Sequence, residues 1–443
     1  MNLKYVKRIA TQNIVSPYGL ALVSYAIFIF AWVFPPNAYQ QFVHEPDLMF
    51  LDPLTFALYT ACVLAFMLGV RAERLIRPAR GRDNSGVGMR SPAFYLFIPM
   101  FVGMVCCSIL LSLVGAKFDL VALLVSQQGS VIKQSLHGSA NPAGNWELSL
   151  LGLTAVLWWA WYRSRQIRLT GVLKRMFYFT FAAGVILDVM TCIATVDRTS
   201  LMPLIAGLAV IHTARKVKAV RLGRVMTFGF FSAALVIGLF MLMSMLRGVT
   251  TLDLALTGLL GYTIVSYNRL AALVLGVMQY QYGGRFAYLF PYLLDANKLD
   301  SIFGFQKMFG WPNGAELWRS EFTSTMSAGL NPAFIWSGAF GYVFSDLRWL
   351  TPLYVMFVGA FAGYFWRKFT EGRTMGLVLY PWVAFCVLFW LGWNTLFVNY
   401  IVPITAVGVM LTVWDAQFLR RPVVVTQSEH PNLARRMVPH SAA

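Results

Sequence analysis

Charged residues are scarce in this chain of 443 residues, of which Asp, Glu, Lys and Arg make up 12%. Soluble globular domains carry about twice that fraction, so the composition excludes an ordinary soluble domain. Acidic residues are the rarer kind, 18 against 36 Lys and Arg, while 58% of the residues are hydrophobic. We therefore predict an all-α polytopic integral membrane protein. Its positive balance indicates basic cytoplasmic loops and not nucleic-acid binding.

Cysteine and histidine are also rare, with five of each. The cysteines lie inside apolar runs and lack metal-ligand spacing, which favours small buried side chains over a disulfide framework. The sequence has no Walker-type glycine loop, no histidine pair at helical spacing and no convincing nucleophile elbow. We therefore predict chemistry without a metal or a cofactor.

Ten apolar runs have about the length that a helix needs to cross a hydrocarbon core of roughly 30 Å. The first run follows Lys4, Lys7 and Arg8, and no small-x-small cleavage site comes after it. It is therefore interpreted as an uncleaved helix and not as a signal peptide. The runs cover approximately 17–34, 54–70, 92–114, 148–162, 177–195, 199–213, 225–246, 349–366, 375–393 and 397–414.

Lys and Arg gather in alternate loops, after the second, fourth, sixth and eighth runs and at both termini. By the positive-inside rule, both termini are predicted to be cytoplasmic. The stretch 247–348, between the seventh and eighth runs, then lies on the opposite side. The predicted parts are a seven-span N-terminal membrane domain (1–246), a large outer loop with interfacial helices (247–348), C-terminal membrane helices (349–414) and a cytoplasmic tail (415–443).

An apolar run at 256–278 complicates the large loop. Arg269 in its middle argues against exposure to lipid. We expect a helix that lies at the outer surface or dips partly into the membrane. The alternative is a span paired with a second span near 333–344. The shorter outer loop, 37–53, contains Glu45, Asp47 and Asp52 and is expected to be an ordinary connection.

Two charged residues near the outer ends of spans are candidates for function. Arg198 follows Asp197 in a short turn between the fifth and sixth runs, where a guanidinium can grip a phosphate with two hydrogen bonds. Pairing with Asp197 as an interfacial anchor is the alternative. Asp188 lies within the fifth run, where an acid is either a proton or ion site or a hydrogen-bonded packing residue.

The large loop adds further candidates. Several arginines at one membrane face suit a lipid diphosphate, and a nearby carboxylate can deprotonate a sugar hydroxyl. Aromatic side chains there can stack on sugars or form an interfacial belt. The predicted diphosphate and sugar ligands in the loop are Arg247, Arg269, Arg285, Arg319 and Tyr267. The two candidate bases are Glu321 and Asp346.

Three short segments resemble the bacterial O-antigen and exopolysaccharide repeat-unit polymerases. The first is the turn 197–201 (Asp-Arg-Thr-Ser-Leu), which opens a span. The second is 261–269, similar to the tyrosine-bearing helix that follows span seven in that family. The third is the Thr-rich stretch from Thr323, the Phe340-Gly341-Tyr342 step and the glycine-containing span 352–363. The likeness in layout covers nearly the whole chain, and the motifs are short and loose.

The resemblance implies glycosyl transfer at the periplasmic face of the bacterial inner membrane. The donor would be a growing glycan on undecaprenyl diphosphate, and the acceptor one repeat unit on the same lipid. Arg198 would hold the donor diphosphate. Arg269 and Arg285 would also bind it, an assignment that rests on their position in the large loop and not on a sharp motif. The family has an aspartate before span eight, which would correspond to Asp346. Its spacing from the Phe340-Gly341 step differs from the family's pattern, so Glu321 is an equal candidate for the base. Implied partners are inner-membrane lipid, a flippase and a chain-length regulator.

Two other functions compete with a polymerase. An O-antigen ligase shares the layout but depends on a histidine in the outer loop, and 247–348 contains none. A transporter of polysaccharide or lipid-linked sugar predicts charges spread over several spans and two similar halves, which the sequence lacks.

Overall fold

The computed structural model describes residues 8–43, 45, 50–76, 94–116, 146–164, 169, 171–195, 201–215, 219–221, 227, 238, 241, 252–289, 304–392, 394–398 and 400–419. Regular structure in this part of the chain is helical, apart from an antiparallel pair of short strands, β1 (Arg8–Ala10) and β2 (Ala219–Arg221). The predicted predominantly helical fold is therefore confirmed.

The first eight described helices precede the large loop. They are α1 (Thr11–Ile14), α2 (Pro17–Trp32), α3 (Pro36–Val43), α4 (Pro53–Ile76), α5 (Phe94–Ala116), α6 (Trp146–Ser164), α7 (Gly171–Thr195) and α8 (Leu201–Arg215). The described helices that follow are α9 (Leu252–Gly261), α10 (Ile264–Val274), α11 (Phe305–Phe309), α12 (Gly314–Ser327), α13 (Gly338–Leu347), α14 (Thr351–Thr370), α15 (Thr374–Leu388) and α16 (Ile401–Leu419). Arg348–Leu350 form a 3-10 turn between α13 and α14.

Nine of the ten apolar runs coincide with described helices, while the run 225–246 falls almost wholly outside the described residues. Three segments in the described part are long and apolar enough to cross a membrane: Pro53–Glu73, Gly171–Ile193 and Gly338–Thr370. The bent pair α2–α3, with an angle of 91°, is a fourth if it forms one broken span, and several shorter helices are also apolar. These helices are compatible with a helical membrane protein.

Glycines bring α4 and α14 into close backbone contact. A Cβ atom added at Gly69 would lie 1.9 Å from the carbonyl oxygen of Met356, and one added at Gly359 would lie 2.1 Å from that of Phe66. Small residues that let helix backbones approach in this way are typical of helix pairs in membranes. The pair therefore forms a closely packed unit next to the large loop.

The apolar run 256–278 forms two helices and not one. Backbone turns at Tyr262 and Thr263 separate α9 from α10, and every residue from Ile264 to Leu273 is buried. The second helix packs against α2, α4 and α13. The prediction of a helix at the outer surface is therefore wrong for the second half of this run, which lies in the protein interior. Arg269 is accommodated there because it faces protein and not lipid.

Candidate functional site

A short helix and a turn in the large loop define the candidate site. Helix α12 begins with a capping box: Glu316 N donates to Asn313 Oδ1 (2.9 Å), and Asn313 N donates to Glu316 Oε2 (3.2 Å). Such reciprocal bonds satisfy backbone N–H groups that a helix start leaves open. They fix where α12 begins, and so which of its side chains point inward.

The turn at 284–289 is held by Asp346 of α13. One carboxylate oxygen accepts from Gly284 N (3.0 Å), and the other accepts from Tyr288 N (2.8 Å) and Leu289 N (3.0 Å). Asn394 Nδ2 donates to the carbonyl oxygens of the same Tyr288 (3.4 Å) and Leu289 (3.3 Å). Asp346 thus anchors this turn by accepting hydrogen bonds from three backbone N–H groups.

Glu321, on the inner face of α12, has a different environment. Its Oε2 accepts a hydrogen bond from the Tyr342 hydroxyl (2.9 Å). Its Oε1 is buried and has no hydrogen-bond partner among the described residues. The residue as a whole is 2% exposed. One oxygen of Glu321 is therefore buried without a hydrogen-bond donor from the described part of the chain.

Burial sets the protonation of Glu321. Removal from water disfavours the carboxylate and raises its pKa, and the hydrogen bond from Tyr342 opposes this only in part. The result is a pKa raised from 4.5 to about 8. Carboxyl groups with a pKa near the working pH are suited to general acid–base catalysis.

Three tyrosine rings surround Glu321. The rings of Tyr280 and Tyr342 are stacked with centroids 5.5 Å apart, and Tyr288 lies 4.9 Å from Tyr280. The hydroxyl groups of Tyr288 and Ser320 share a hydrogen bond of 3.4 Å. We call Tyr280, Tyr288, Ser320, Glu321 and Tyr342 the Glu321 cluster. It combines one protonatable group with stacked aromatic rings and hydroxyl groups, all of them buried.

Arg269 lies in a separate buried network. Its guanidinium forms a bidentate ion pair with Glu45, in which Nη1 lies 3.0 Å from Oε2 and Nη2 bonds Oε1. Its Nε donates to the carbonyl oxygen of Phe334 (3.2 Å), and Nη2 also donates to that of Asn331 (3.2 Å). All three guanidinium nitrogens are engaged, so a diphosphate would have to displace these partners to bind here.

The loop 37–53 is more than the ordinary connection expected from the sequence. Its Glu45 also accepts from the Tyr39 hydroxyl and from Asn331 N, each at 2.5 Å. Asn268 Nδ2 donates to the Tyr39 hydroxyl (2.9 Å). This loop is therefore fastened to the large loop through buried polar groups.

Sequence reasoning did not single out Glu45, although a signal was present. A buried arginine needs a carboxylate, and the short outer loop offered three acids.

Tyr267, predicted to contact sugar, is fully buried beside α2 and α4. Its ring meets those of Phe28 and Tyr59 edge to face, at 5.2 and 5.5 Å. The structure thus places it in a packed aromatic group, away from the Glu321 cluster.

Arg285 and Arg319 are both exposed. Arg285 lies in the turn that Asp346 holds, and its Nη1 donates to the carbonyl oxygen of Gly310 (3.3 Å). Arg319 is two residues before Glu321 on α12, so the two side chains point about 200° apart. The structure therefore brings Arg285, Asp346 and the Glu321 cluster into one region and turns Arg319 away from it. Arg198 and Arg247 lie outside the described residues.

Sequence reasoning missed Tyr288 and Ser320, and it noted Tyr342 only as part of a family-like motif. A usable signal was the spacing of Tyr342 and Asp346, which are four residues apart and so share a helix face. Nothing in the sequence linked that face to α12. In the described part of the chain, no three His, Cys, Asp or Glu residues form a group that would hold a metal ion. The proposal of metal-independent chemistry stays a prediction.

Together these features describe a helical protein compatible with a membrane, with a buried, protonatable aromatic cluster in its large loop. Comparison with protein-family models, with curated proteins and with solved structures finds no match to this chain.

Proposed function

We propose that this chain is a membrane glycosyltransferase that polymerises oligosaccharide repeat units carried on undecaprenyl diphosphate. In this proposal the chain crosses the bacterial inner membrane ten times with both termini in the cytoplasm, and 247–348 faces the periplasm. The product is O-antigen or exopolysaccharide. The support from sequence is the layout and the short motifs that resemble repeat-unit polymerases.

The observation that carries the proposal is the free oxygen of Glu321. In the reaction, a hydroxyl group of the acceptor sugar attacks the anomeric carbon of the donor glycan. The bond from that carbon to the diphosphate oxygen breaks, and the diphosphate leaves with the electron pair. The proton of the attacking hydroxyl passes to the Glu321 carboxylate. A base with one open oxygen and a pKa near 8 fits this step.

Two further requirements follow from the same reaction. The leaving diphosphate gains charge, which arginines near the membrane face can neutralise. The exposed Arg285 beside the Asp346 turn is the described candidate. Arg198 and Arg247 are further candidates from the sequence. Asp346 is proposed to position this turn and not to act as the base, because its oxygens already accept three backbone hydrogen bonds.

Two other functions remain as outcomes of the test. The absence of histidine from 247–348 favours a polymerase over an O-antigen ligase. A transporter is favoured by Asp188, which is buried within α7 and accepts a hydrogen bond from Thr154 Oγ1 (3.5 Å). Buried acids inside spans are frequent in ion and proton pathways.

Deleting the gene in its host distinguishes these functions. We expect the long surface or secreted polymer to disappear and a single repeat unit to remain, as seen on a polysaccharide gel. Wild type should restore the polymer, and Arg198→Ala should not, at equal amounts of protein in the membrane. Normal polymer in a host without a redundant homologue would contradict the proposal and favour transport. A full polymer that never reaches its final acceptor would indicate a ligase.

A further inference from the structure

Helix α12 has a buried face that is mostly polar, and its exposed side carries large apolar side chains beside polar ones. The side chains that point inward are mostly polar, and all of them are buried: Leu317, Ser320, Glu321, Ser324 and Thr325. An apolar stripe of Trp318, Phe322 and Met326, spaced four residues apart, lies on the other side, where Trp318 and Met326 are exposed and Phe322 is half-buried. The exposed polar residues beside it are Glu316, Arg319, Thr323 and Ser327. A helix on a water-soluble surface would bury such a stripe.

The inward hydroxyl groups need no water because the helix itself satisfies them. Ser320 Oγ donates to the carbonyl oxygen of Leu317 (2.6 Å), and Thr325 Oγ1 donates to that of Glu321 (2.8 Å). The polar face is thus stable in the protein interior. The unusual feature is the stripe, where the described part of the chain leaves Trp318 and Met326 exposed and Phe322 half-buried.

Two of the three stripe residues are as exposed as residues on helices of membrane-spanning length. Trp318 is 53% exposed and Met326 is 55% exposed, against 56% for Leu64 of α4 and 58% for Met190 of α7. The rings of Trp318 and Phe322 contact each other edge to face, with centroids 4.6 Å apart. The stripe therefore presents a continuous apolar surface.

Helix α12 lies near one end of a segment of membrane-spanning length. Its Glu321 is bonded to Tyr342, which is close to the start of the apolar helical segment Gly338–Thr370. The exposed cation Arg319 lies beside the stripe on the same helix. Apolar side chains beside exposed basic ones are typical of helices that lie in the membrane interface, where cations meet lipid phosphates.

We infer that α12 lies in the membrane–water interface, with the Trp318–Phe322–Met326 stripe in contact with lipid and the Glu321 face turned to the protein interior. The occupant of the stripe is the acyl and glycerol region of one lipid leaflet. This inference does not depend on the reaction proposed above, because it rests on the arrangement of side chains around one helix. It implies that Glu321 lies at the depth of lipid head groups.

Spin labels on single cysteines measure this contact directly. The five native cysteines are first replaced, and the full chain is reconstituted into phospholipid bilayers after it elutes as a single species. Labels are then placed by Trp318→Cys, Phe322→Cys and Met326→Cys on the stripe. Matched controls are Thr323→Cys and Ser327→Cys, which are exposed on the polar part of the outer side of the same helix. Collision with oxygen, which dissolves in lipid, is compared with collision with a water-soluble nickel complex.

We expect the ratio of oxygen to nickel accessibility to be several-fold higher at the three stripe positions than at the two controls. High nickel accessibility at all five positions would show that the stripe faces water and would overturn the inference. Low accessibility to both reagents at the stripe would show that protein covers it, either a second copy or another segment, and would also overturn it. Because catalysis is not measured, the result is separate from the test of the proposed reaction.

Discussion

Replacing Arg269 with methionine is expected to lower the free energy of unfolding by about 3–5 kcal/mol, the range for breaking a buried ion pair from one side. The substitution would leave the Glu45 carboxylate buried without its positive partner. It would also remove the donors to the carbonyl oxygens of Phe334 and Asn331. The measurement is thermal unfolding of the purified protein in detergent, together with its amount in membranes.

A second substitution tests whether the stranded charge causes the loss. Arg269→Met combined with Glu45→Gln should recover a large part of the stability, because the amide keeps an acceptor for Asn331 N without a charge. Arg285→Met is the matched control: this arginine is exposed, and its removal should change stability little. An Arg269→Met protein that unfolds like wild type but has lost activity would contradict the structural role. It would favour the diphosphate ligand predicted from the sequence.

Glu321→Gln is expected to abolish polymerisation while leaving the protein folded and less sensitive to pH. Glutamine mimics the protonated carboxyl group, which predominates at pH 7 because the pKa of Glu321 is about 8. It cannot accept the proton of an attacking hydroxyl. Loss of a general base typically costs a factor of about 10²–10⁴ in rate. For the wild type, the rate should rise with pH up to about 8 as the carboxylate forms.

The pH dependence of stability has the opposite sign. The pKa of Glu321 is raised from 4.5 in the unfolded chain to about 8 in the fold, so the native state binds more protons between these values. Its contribution is therefore fully present below pH 4.5 and is lost as pH rises toward 8. At about 1.4 kcal/mol per pH unit, the loss by pH 7 is on the order of 3 kcal/mol.

Melting temperatures measured between pH 5 and pH 9 test this pH dependence in two variants of α12, Glu321→Gln and Glu316→Gln. As the pH rises, the melting temperature of the Glu321→Gln protein should fall less than that of the wild type. Glu316→Gln is the control, because Glu316 is exposed and glutamine can also complete the capping box. Wild-type and Glu321→Gln curves with the same slope would contradict a raised pKa at this carboxyl group.

Helix positions were predictable from the sequence because a membrane helix is specified by local composition. The run at 54–70, for example, corresponds to α4, which begins one residue earlier and ends six residues later. The break between α9 and α10 was not predictable, since the residues at Tyr262 and Thr263 carry no strong turn signal. It depends on packing of α10 against distant helices.

The choice between the two candidate bases also required the structure. Glu321 and Asp346 are both acids in one loop, and the sequence left them equal. Their difference is in their partners: backbone N–H groups occupy Asp346, whereas Glu321 has one tyrosine donor and one open oxygen. The pairing of Glu45 with Arg269, 224 residues apart, was likewise beyond local pattern reasoning.

The most direct measurement of the central claim is polymerisation by the purified protein in lipid bilayers. The substrate is the lipid-linked repeat unit extracted from the deletion strain, and the product is read as a ladder on a gel. The account predicts a ladder with wild type and with Glu316→Gln, and none with folded Glu321→Gln. Folded wild-type protein that leaves the repeat units unjoined would contradict it, as would a Glu321→Gln protein that makes the ladder at the wild-type rate.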